Sequence, residues 1–584
     1  MLELLSKLSD NAEAGFKPKD VKWAIALDSE HGFLEIIELG EVGEKKNRGR
    51  TFPRCPDLSQ PELVSGSTAR SHFLVETAGV VALLGVKEDE SKTLEKHRFF
   101  VNMLGEAGKD FPELAKIAGI LSNPDEMESI KRLMVEKKIK PTDKVTFQLD
   151  GRFPLEEDYW HDWWRKFRLN LKENVPKQSV PANLMRCLVT GELSIPALTH
   201  SKITGLAGIG GQASGDVLVG FDKEAFCSYG LSQSTNAAVS EQAMNAYCAG
   251  LNELIKNHGT NLAGTRVVHW FKHKVEKDED PLILLLNPPE QQDNIAQSLA
   301  VRMLDSIRTG ERPDLAENEY YALILSGAGG RVMVRDWIEG PFTELIFNIN
   351  QWFDDLNIIQ RDGNKIARNP KFMAVMGSLV RELKDLPAPL VSKMWRVAVK
   401  NELIPYAILP ICLSRRKMEI LQPDKYPINV AGMALIRAYH LRKYRKESNQ
   451  IMEEGLQPVV NENFPGPAYH CGRLLAVLAE LQRSALGDVG SGVVQRYYAA
   501  ASTTPALVLG RLTRNSQYHL NKLQPGLAYW YESKIAEIWS RFQDALPATL
   551  NLEEQSLFAL GYYQQLADMR TKKSKNNQEE ENVQ

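Results

Sequence analysis

Between Met185 and Leu254 the chain gathers the residue types from which a ligand loop could be built. Gly205, Gly208, Gly210, Gly211 and Gly215 punctuate it, followed by an apolar run, Asp216–Phe221, a polar loop, Ser228–Asn236, and a helix opened by Ser240. Glycine has no Cβ, so such a loop lets backbone N–H groups come close to a phosphate or a base edge. The nucleotide-binding patterns are not met. Gly208-Ile209-Gly210-Gly211 lacks the Gly-Lys-Ser/Thr of a P-loop and leads into a strand-like run, whereas a dinucleotide-binding turn opens a helix. Gly327–Gly330 reads as a hairpin turn, and Ser214 lacks the spacing of a nucleophile elbow. His269 and His273 would share one face if the strand Arg266–Phe271 continued to Lys274. No acid stands between them, and no carboxylate cluster recommends two-metal nuclease chemistry. The expectation is a non-enzyme without metal or cofactor.

The elements that must position this stretch are mixed. Asp20–Asp28 alternates, Ser29–Gly32 turns and Phe33–Leu39 returns, a hairpin. Helical periodicity predicts helices over Ser91–Leu104, Asp125–Lys137 and Tyr159–Leu171, the last placing Trp160, Trp163, Trp164 and Phe167 for core packing. Val145–Leu149, Arg266–Phe271 and Pro281–Leu286 read as strands, and Asn294–Thr309 and Phe342–Leu356 as helices. Glu319–Ser326 and Arg331–Trp337 flank the glycine turn as a hairpin. Past residue 356 strand signals nearly vanish. Val430–Lys446 is a helix with a basic end, and Ser448–Pro467 is loop-like. Pro467–Gln482, Val489–Ala501, Thr504–Leu523, Ala528–Asp544 and Leu552–Leu566 form a bundle by their short connections. The fold class is therefore α+β. A mixed region, 1–355, precedes a basic helical segment, 356–450, a helical bundle, 451–569, and a tail, 570–584, polar enough to be disordered.

A chain of 584 residues implies about two to four domains. It is 43% hydrophobic and 25% charged, as soluble globular proteins are, and it holds no apolar run long enough to span a membrane. The N-terminus carries acids and no cleavage-site pattern, so no secretory signal is expected. Six scattered cysteines without a C-x-x-C pair read as free thiols in a reducing cytoplasm. The net charge of −3 predicts no polyanionic partner, yet Arg361–Lys446 holds 18 Lys and Arg against 6 Asp and Glu. Such a block is what a phosphate-binding face requires. A solvated helical surface balanced by acidic neighbours would read the same way.

Several segments, in order over some 450 residues, resemble the large subunit of the type I-C CRISPR surveillance complex (Cascade). They include the hairpin at Lys22-Trp23, Arg70–Val75, Cys187–Gly191, Gly211–Gly215, Phe226–Gly230, Asn236–Glu241, Arg331–Trp337 and Ala468–Leu478. The family loop more usually reads G-A-Q-S-S-G, so Gly211-Gln212-Ala213-Ser214-Gly215 is a variant that puts Ser214 in more question than Gln212.

The resemblance implies a non-catalytic subunit beside the one holding the crRNA 5′ handle and the crRNA backbone subunits. It would inspect the PAM on double-stranded target DNA, help open the duplex and present the displaced strand to a helicase–nuclease. It also implies a small subunit made by internal translation, for which Met452 stands in the right place. On this reading Gln212 and Asn236 are candidate amide readers, with Ser214 beside them, and Lys202, Arg70 and His72 supply phosphate or groove contacts. Arg415, Arg416, Lys417, Arg437, Arg442, Lys443, Arg445 and Lys446 are candidates for steering the displaced strand. A nuclease and a purely architectural scaffold are the competing readings.

Overall fold

Alternation in β2 (Trp23–Asp28) gives way to near-complete burial, because this strand lies inside a sheet. It pairs antiparallel with β3 (Gly32–Glu38) and parallel with β6 (Lys144–Leu149), which in turn pairs with β5 (Glu76–Thr77). The computed structural model describes all residues except 10–12, 41–48, 59–62, 64–68, 88–89, 174–183, 227–228, 289–294, 423–427, 488, 490–491, 543–545 and 582–584. The chain divides into two units, Met1–His258 with Gly327–Met333, and Gly259–Ser326 with Val334–Gln584.

The first unit also contains α1 (Leu2–Lys7), β1 (Phe16–Val21), β4 (Arg50–Pro56), α2 (Ala78–Val81), α3 (Ser91–Ala107), α4 (Pro112–Ser122), α5 (Pro124–Glu136), α6 (His161–Glu173), β7 (Met185–Arg186), β8 (Leu193–Ser194) and α7 (Glu241–His258). β1 and β4 form a separate antiparallel ribbon, bulged between Lys17 and Lys19. Helix α5 starts where Asn123 caps the Asp125 N–H and Pro124 supplies the preset first-turn φ. The tryptophans are core, as their spacing predicts. Trp160 and Trp164 are fully buried, and their indole N–H groups donate to Pro154 O and Gly15 O, both at 2.8 Å. Phe73 stacks on Trp164 at 5.7 Å.

The second unit opens with β9 (Gly259–Leu262), β10 (Thr265–Phe271), α8 (Pro281–Leu286), α9 (Ile295–Arg308), α10 (Pro313–Ala316), β11 (Glu319–Ala328) and β12 (Arg331–Pro341). The strands form one sheet in the order β12-β11-β10-β9. Among the described residues everything beyond Pro341 is helical or irregular. The helices are α11 (Phe342–Asp355), α12 (Phe372–Gly377), α13 (Ala388–Val399), α14 (Ile408–Leu421), α15 (Val430–Lys446), α16 (Gln450–Gly455), α17 (Pro467–Leu486), α18 (Val493–Ala501), α19 (Pro505–Leu520), α20 (Pro525–Ser540) and α21 (Leu552–Glu581). Helix α17 is buried nearly all round and is the bundle's central member. It meets α21 backbone to backbone, because a Cβ on Gly472 would stand 1.9 Å from Phe558 O and one on Gly561 2.1 Å from Tyr469 O.

The observed class is α+β. Three expectations change. Pro281–Leu286 is a helix, because buried Asp280 accepts the N–H groups of Leu282 and Ile283 and starts a turn; a six-residue apolar run cannot by itself distinguish strand from helix. Asp216–Phe221 is no strand and makes only single bridges, Asp216 to Ile203 and Val217 to Arg331. Helix α21 runs on to Glu581, into the stretch expected to be disordered, since extending an existing helix costs far less than nucleating one. The change from mixed to helical structure falls after Pro341, close to the sequence division at 355, whereas the two units part mainly at Gly259.

Candidate nucleic-acid interface

The glycine-rich stretch is a closed loop. Ile203 and Asp216 exchange backbone hydrogen bonds of 2.7 and 2.8 Å at its neck, and Gly205, Gly210 and Gly215 turn it with φ near +90°. Asp216 is fully buried, and its carboxylate accepts the Gln212 N–H at 3.1 and 3.2 Å. That geometry requires Gly211, because a Cβ there would lie 2.2 Å from Asp216 Oδ2. The loop is clamped to the β11–β12 turn, which belongs to the same unit. Val217 N–H donates to Gly330 O (2.9 Å), Val332 N–H donates to Val217 O (3.0 Å), and Gly327 approaches the Gly210–Gly211 backbone.

Three of the predicted residues come together here. Lys202 Nζ donates to Ser214 Oγ at 3.3 Å, and Gln212 projects past Gly330. All three are exposed. The Gln212 side-chain amide has no hydrogen-bond partner among the described residues, so both its N–H₂ and its oxygen are free to meet a base edge. Arg331, on the clamped turn, extends the patch; it contacts exposed Asp222 at 3.1 Å and lies over the Phe226 ring at 5.6 Å.

The other three N-terminal candidates stand apart. Asn236 is half-buried and spends its N–H₂ on Gln233 O at 2.9 Å, capping its own 3₁₀ turn. Arg70 donates to Leu63 O at 2.7 Å, and burial lowers its pKa. His72 accepts the Leu58 N–H on Nδ1 at 3.0 Å, and burial, helped by nearby Lys19, pushes its pKa down to about 4. At neutral pH it has no charge to offer a phosphate. His269 does not pair with His273: β10 ends at Phe271, and His269 Nε2 meets Asp280 Oδ2 at 2.7 Å.

The basic segment is used mostly inside the fold. Arg416 is fully buried against Glu419 and Ser378 O, in space that a Cβ on Gly432 would occupy. Arg437 donates to Asp354 O, Asp355 O and Leu456 O, and burial pushes its pKa down to about 10. Arg442 binds Asp355 at 2.7 Å and also donates to Val397 O and Glu402 O. Arg437 and Arg442 thus satisfy the last carbonyls of α11 and α13, which a helix leaves without partners. Arg445 bridges Asp355 and Glu453, and Lys443 pairs with Glu553. These placements withdraw Arg416, Arg437 and Arg442 from any role on a DNA face. Among the described residues, Lys417 and Lys446 remain exposed without an ion pair, and Arg415 is half-buried.

A family model described as CRISPR-associated protein (Cas_Csd1) matches residues 3–570. The chain belongs to the Cas_Csd1 family of CRISPR-associated proteins. A comparison with curated proteins gave no match. The family match covers both units, including the clamped loop and its turn. Membership of Cas_Csd1 places the chain in CRISPR defence and makes a complex with other Cas subunits its setting. Arg331 is the member of the patch that sequence reading did not select. Its signal is the Gly327–Gly330 turn, which sets it at the start of β12.

Proposed function

We propose that this chain is the non-catalytic large subunit of a crRNA-guided complex of the type I-C kind. It reads the PAM in duplex DNA, aids R-loop formation and helps recruit a helicase–nuclease. The observation that supports this most is the clamped loop, where an unpartnered amide, a lysine and a hydroxyl project from a backbone that hydrogen bonds and glycine contacts hold rigid. A PAM reader needs only a few such groups on a fixed frame. Lys202 and Arg331 suit phosphates, and Gln212 suits a base edge, with Asn at 236 held in reserve for its own turn.

The test uses the assembled crRNA complex. Gln212→Ala should reduce discrimination between PAM-bearing and PAM-less duplex by roughly 5- to 150-fold, the worth of one bidentate amide contact, while assembly is unchanged. Undiminished discrimination would remove the loop as the reader. A basic face would be superfluous in a pure scaffold, but so much of the 356–450 segment is used inside the fold that it does not discriminate against that reading. A complex that binds PAM-bearing and PAM-less duplex alike would favour that alternative. Cleavage of labelled DNA by the purified chain with Mg²⁺ or Mn²⁺ would instead revive the nuclease.

A further inference from the structure

Two arginines of the second unit meet without a carboxylate to neutralise them. Arg361 stands in the loop after α11, and Arg570 lies on α21. A bridge between Ile359 and Ile366 closes the loop, and within it Gln360 N–H donates to Lys365 O at 2.9 Å. The loop is seated on α21. Tyr563 OH donates to Ile359 O at 2.7 Å, and a Cβ on Gly363 would stand 2.2 Å from Ala567 O. Arg570 Nη1 donates to Arg361 O at 3.4 Å and makes no other hydrogen bond among the described residues. Arg361 Nε is buried and has no partner. Both residues are half-buried, and neither guanidinium forms an ion pair among the described residues.

Elsewhere in the bundle the fold pairs its cations: Arg473 and Arg541 meet Glu537, and Lys534 meets Glu462. Here the nearby acids are engaged. Glu480 binds Arg483 at 2.6 Å, and Asp362 accepts the Asn364 N–H at 3.1 Å. Burial first, and then the charge of Arg361, holds Arg570 below the usual arginine range; Arg483 adds to this and Glu480 opposes it. Like charges brought together partly out of water destabilise a fold unless an anion joins them. A neutral donor lies in the same field. Tyr562 is 5% exposed, its hydroxyl has no partner among the described residues, and all three arginines act on it.

We propose that Arg361, Arg570 and Tyr562 form a binding site for one small, doubly charged oxyanion of the phosphate or phosphate-monoester class. Two adjacent guanidiniums match a charge of about −2 on a single group, which a monoester carries near neutral pH and a phosphodiester does not. The phenol supplies a further donor to the same group, and the bound anion ties the loop after α11 to α21. The site is independent of the clamped loop, which belongs to the first unit.

The test is equilibrium dialysis of the full chain against radiolabelled inorganic phosphate, with ionic strength held constant by chloride. The parent should bind phosphate saturably, sulfate should displace it, and dimethyl phosphate, a singly charged diester, should not. Arg361→Gln and Arg570→Gln should each weaken binding roughly 10- to 150-fold, the effect of one charge-assisted contact. Tyr562→Phe should weaken it roughly 2- to 10-fold. In phosphate-free buffer both arginine variants should melt no lower than the parent, because mutual repulsion is relieved, and added phosphate should raise the melting temperature of the parent alone. Between pH about 8 and about 5.5 phosphate gains a proton while sulfate stays doubly charged, so phosphate binding should weaken and sulfate binding should not. No binding by the parent, undiminished binding in either arginine variant, or equal displacement by sulfate and dimethyl phosphate overturns the assignment. So does displacement by oligo-dT at equal phosphate concentration, which would mark a face for a strand and not a site for one anion.

Discussion

Gly327 is the position at which the smallest change should uncouple the proposed reader from its frame. A Cβ there would stand 2.1 Å from Gly211 N, 2.2 Å from Gly211 Cα and 2.6 Å from Gly210 C, all backbone atoms that cannot rotate aside. Ordinary contact begins near 3.4 Å, so Gly327→Ala must part the loop from the turn by about 1 Å. The bonds at risk are Val217 N–H to Gly330 O and Val332 N–H to Val217 O. Two such bonds contribute about 1–3 kcal/mol, the same range as overpacking costs. Of the residues that make these bonds only Val332 has a buried side chain, so the loss should appear mainly at the loop. The assay is duplex binding by the crRNA complex, with and without a PAM, beside the melting temperature. Discrimination should fall roughly 5- to 150-fold, whereas Gly208→Ala, whose Cβ meets nothing within 4 Å, should behave as the parent. A Gly327→Ala complex that folds and still discriminates fully would refute the clamp.

Asp355→Ala should destabilise the second unit by about 3–5 kcal/mol in urea unfolding, because fully buried Asp355 is the carboxylate partner of buried Arg442 and of Arg445; a change below 1 kcal/mol would contradict the structural role given to these arginines. Gly561→Ala should lower the same transition by about 1–3 kcal/mol through the contact with Tyr469 O, and an unchanged midpoint would mean α17 and α21 do not cross so closely. Stability should also fall on acidification. His440 and His470 are almost fully buried, and burial pushes their pKa values down to about 3 and about 4. The unfolded chain therefore binds more protons below pH about 6.5, so their contribution is complete above that pH and is lost as pH falls toward 4, amounting to about 2 kcal/mol each at pH 5. His440→Phe should flatten part of that slope; an identical pH profile would show the histidine is not held neutral.

Much of the fold was legible because periodicity and turn chemistry agree in it. The Trp23 hairpin, the glycine turn before Arg331 and the long helices each carry both signals. Pro281–Leu286 was not, since a short apolar run has no period and its fate is decided by the cap at Asp280. The loop's glycines marked it as special, and Gln212 and Lys202 were selectable from it. That Asn236 serves its own turn and His72 is held neutral depends on carbonyls and buried charges brought in from distant sequence. The basic block misled for a related reason. Counting charge along the chain cannot show that Arg437 and Arg442 end on helix carbonyls.

The role proposed for this Cas_Csd1 chain is to read a short DNA motif through the loop closed by Ile203 and Asp216. Its most direct test is selection of bound duplexes from a library randomised beside the crRNA-matched target, using complexes that carry the parent chain or the Lys202→Ala, Gln212→Ala double variant. The parent should enrich a defined motif of a few base pairs, and the variant should bind weakly with that enrichment lost. The same motif enriched by both, or none enriched by the parent, would contradict the claim.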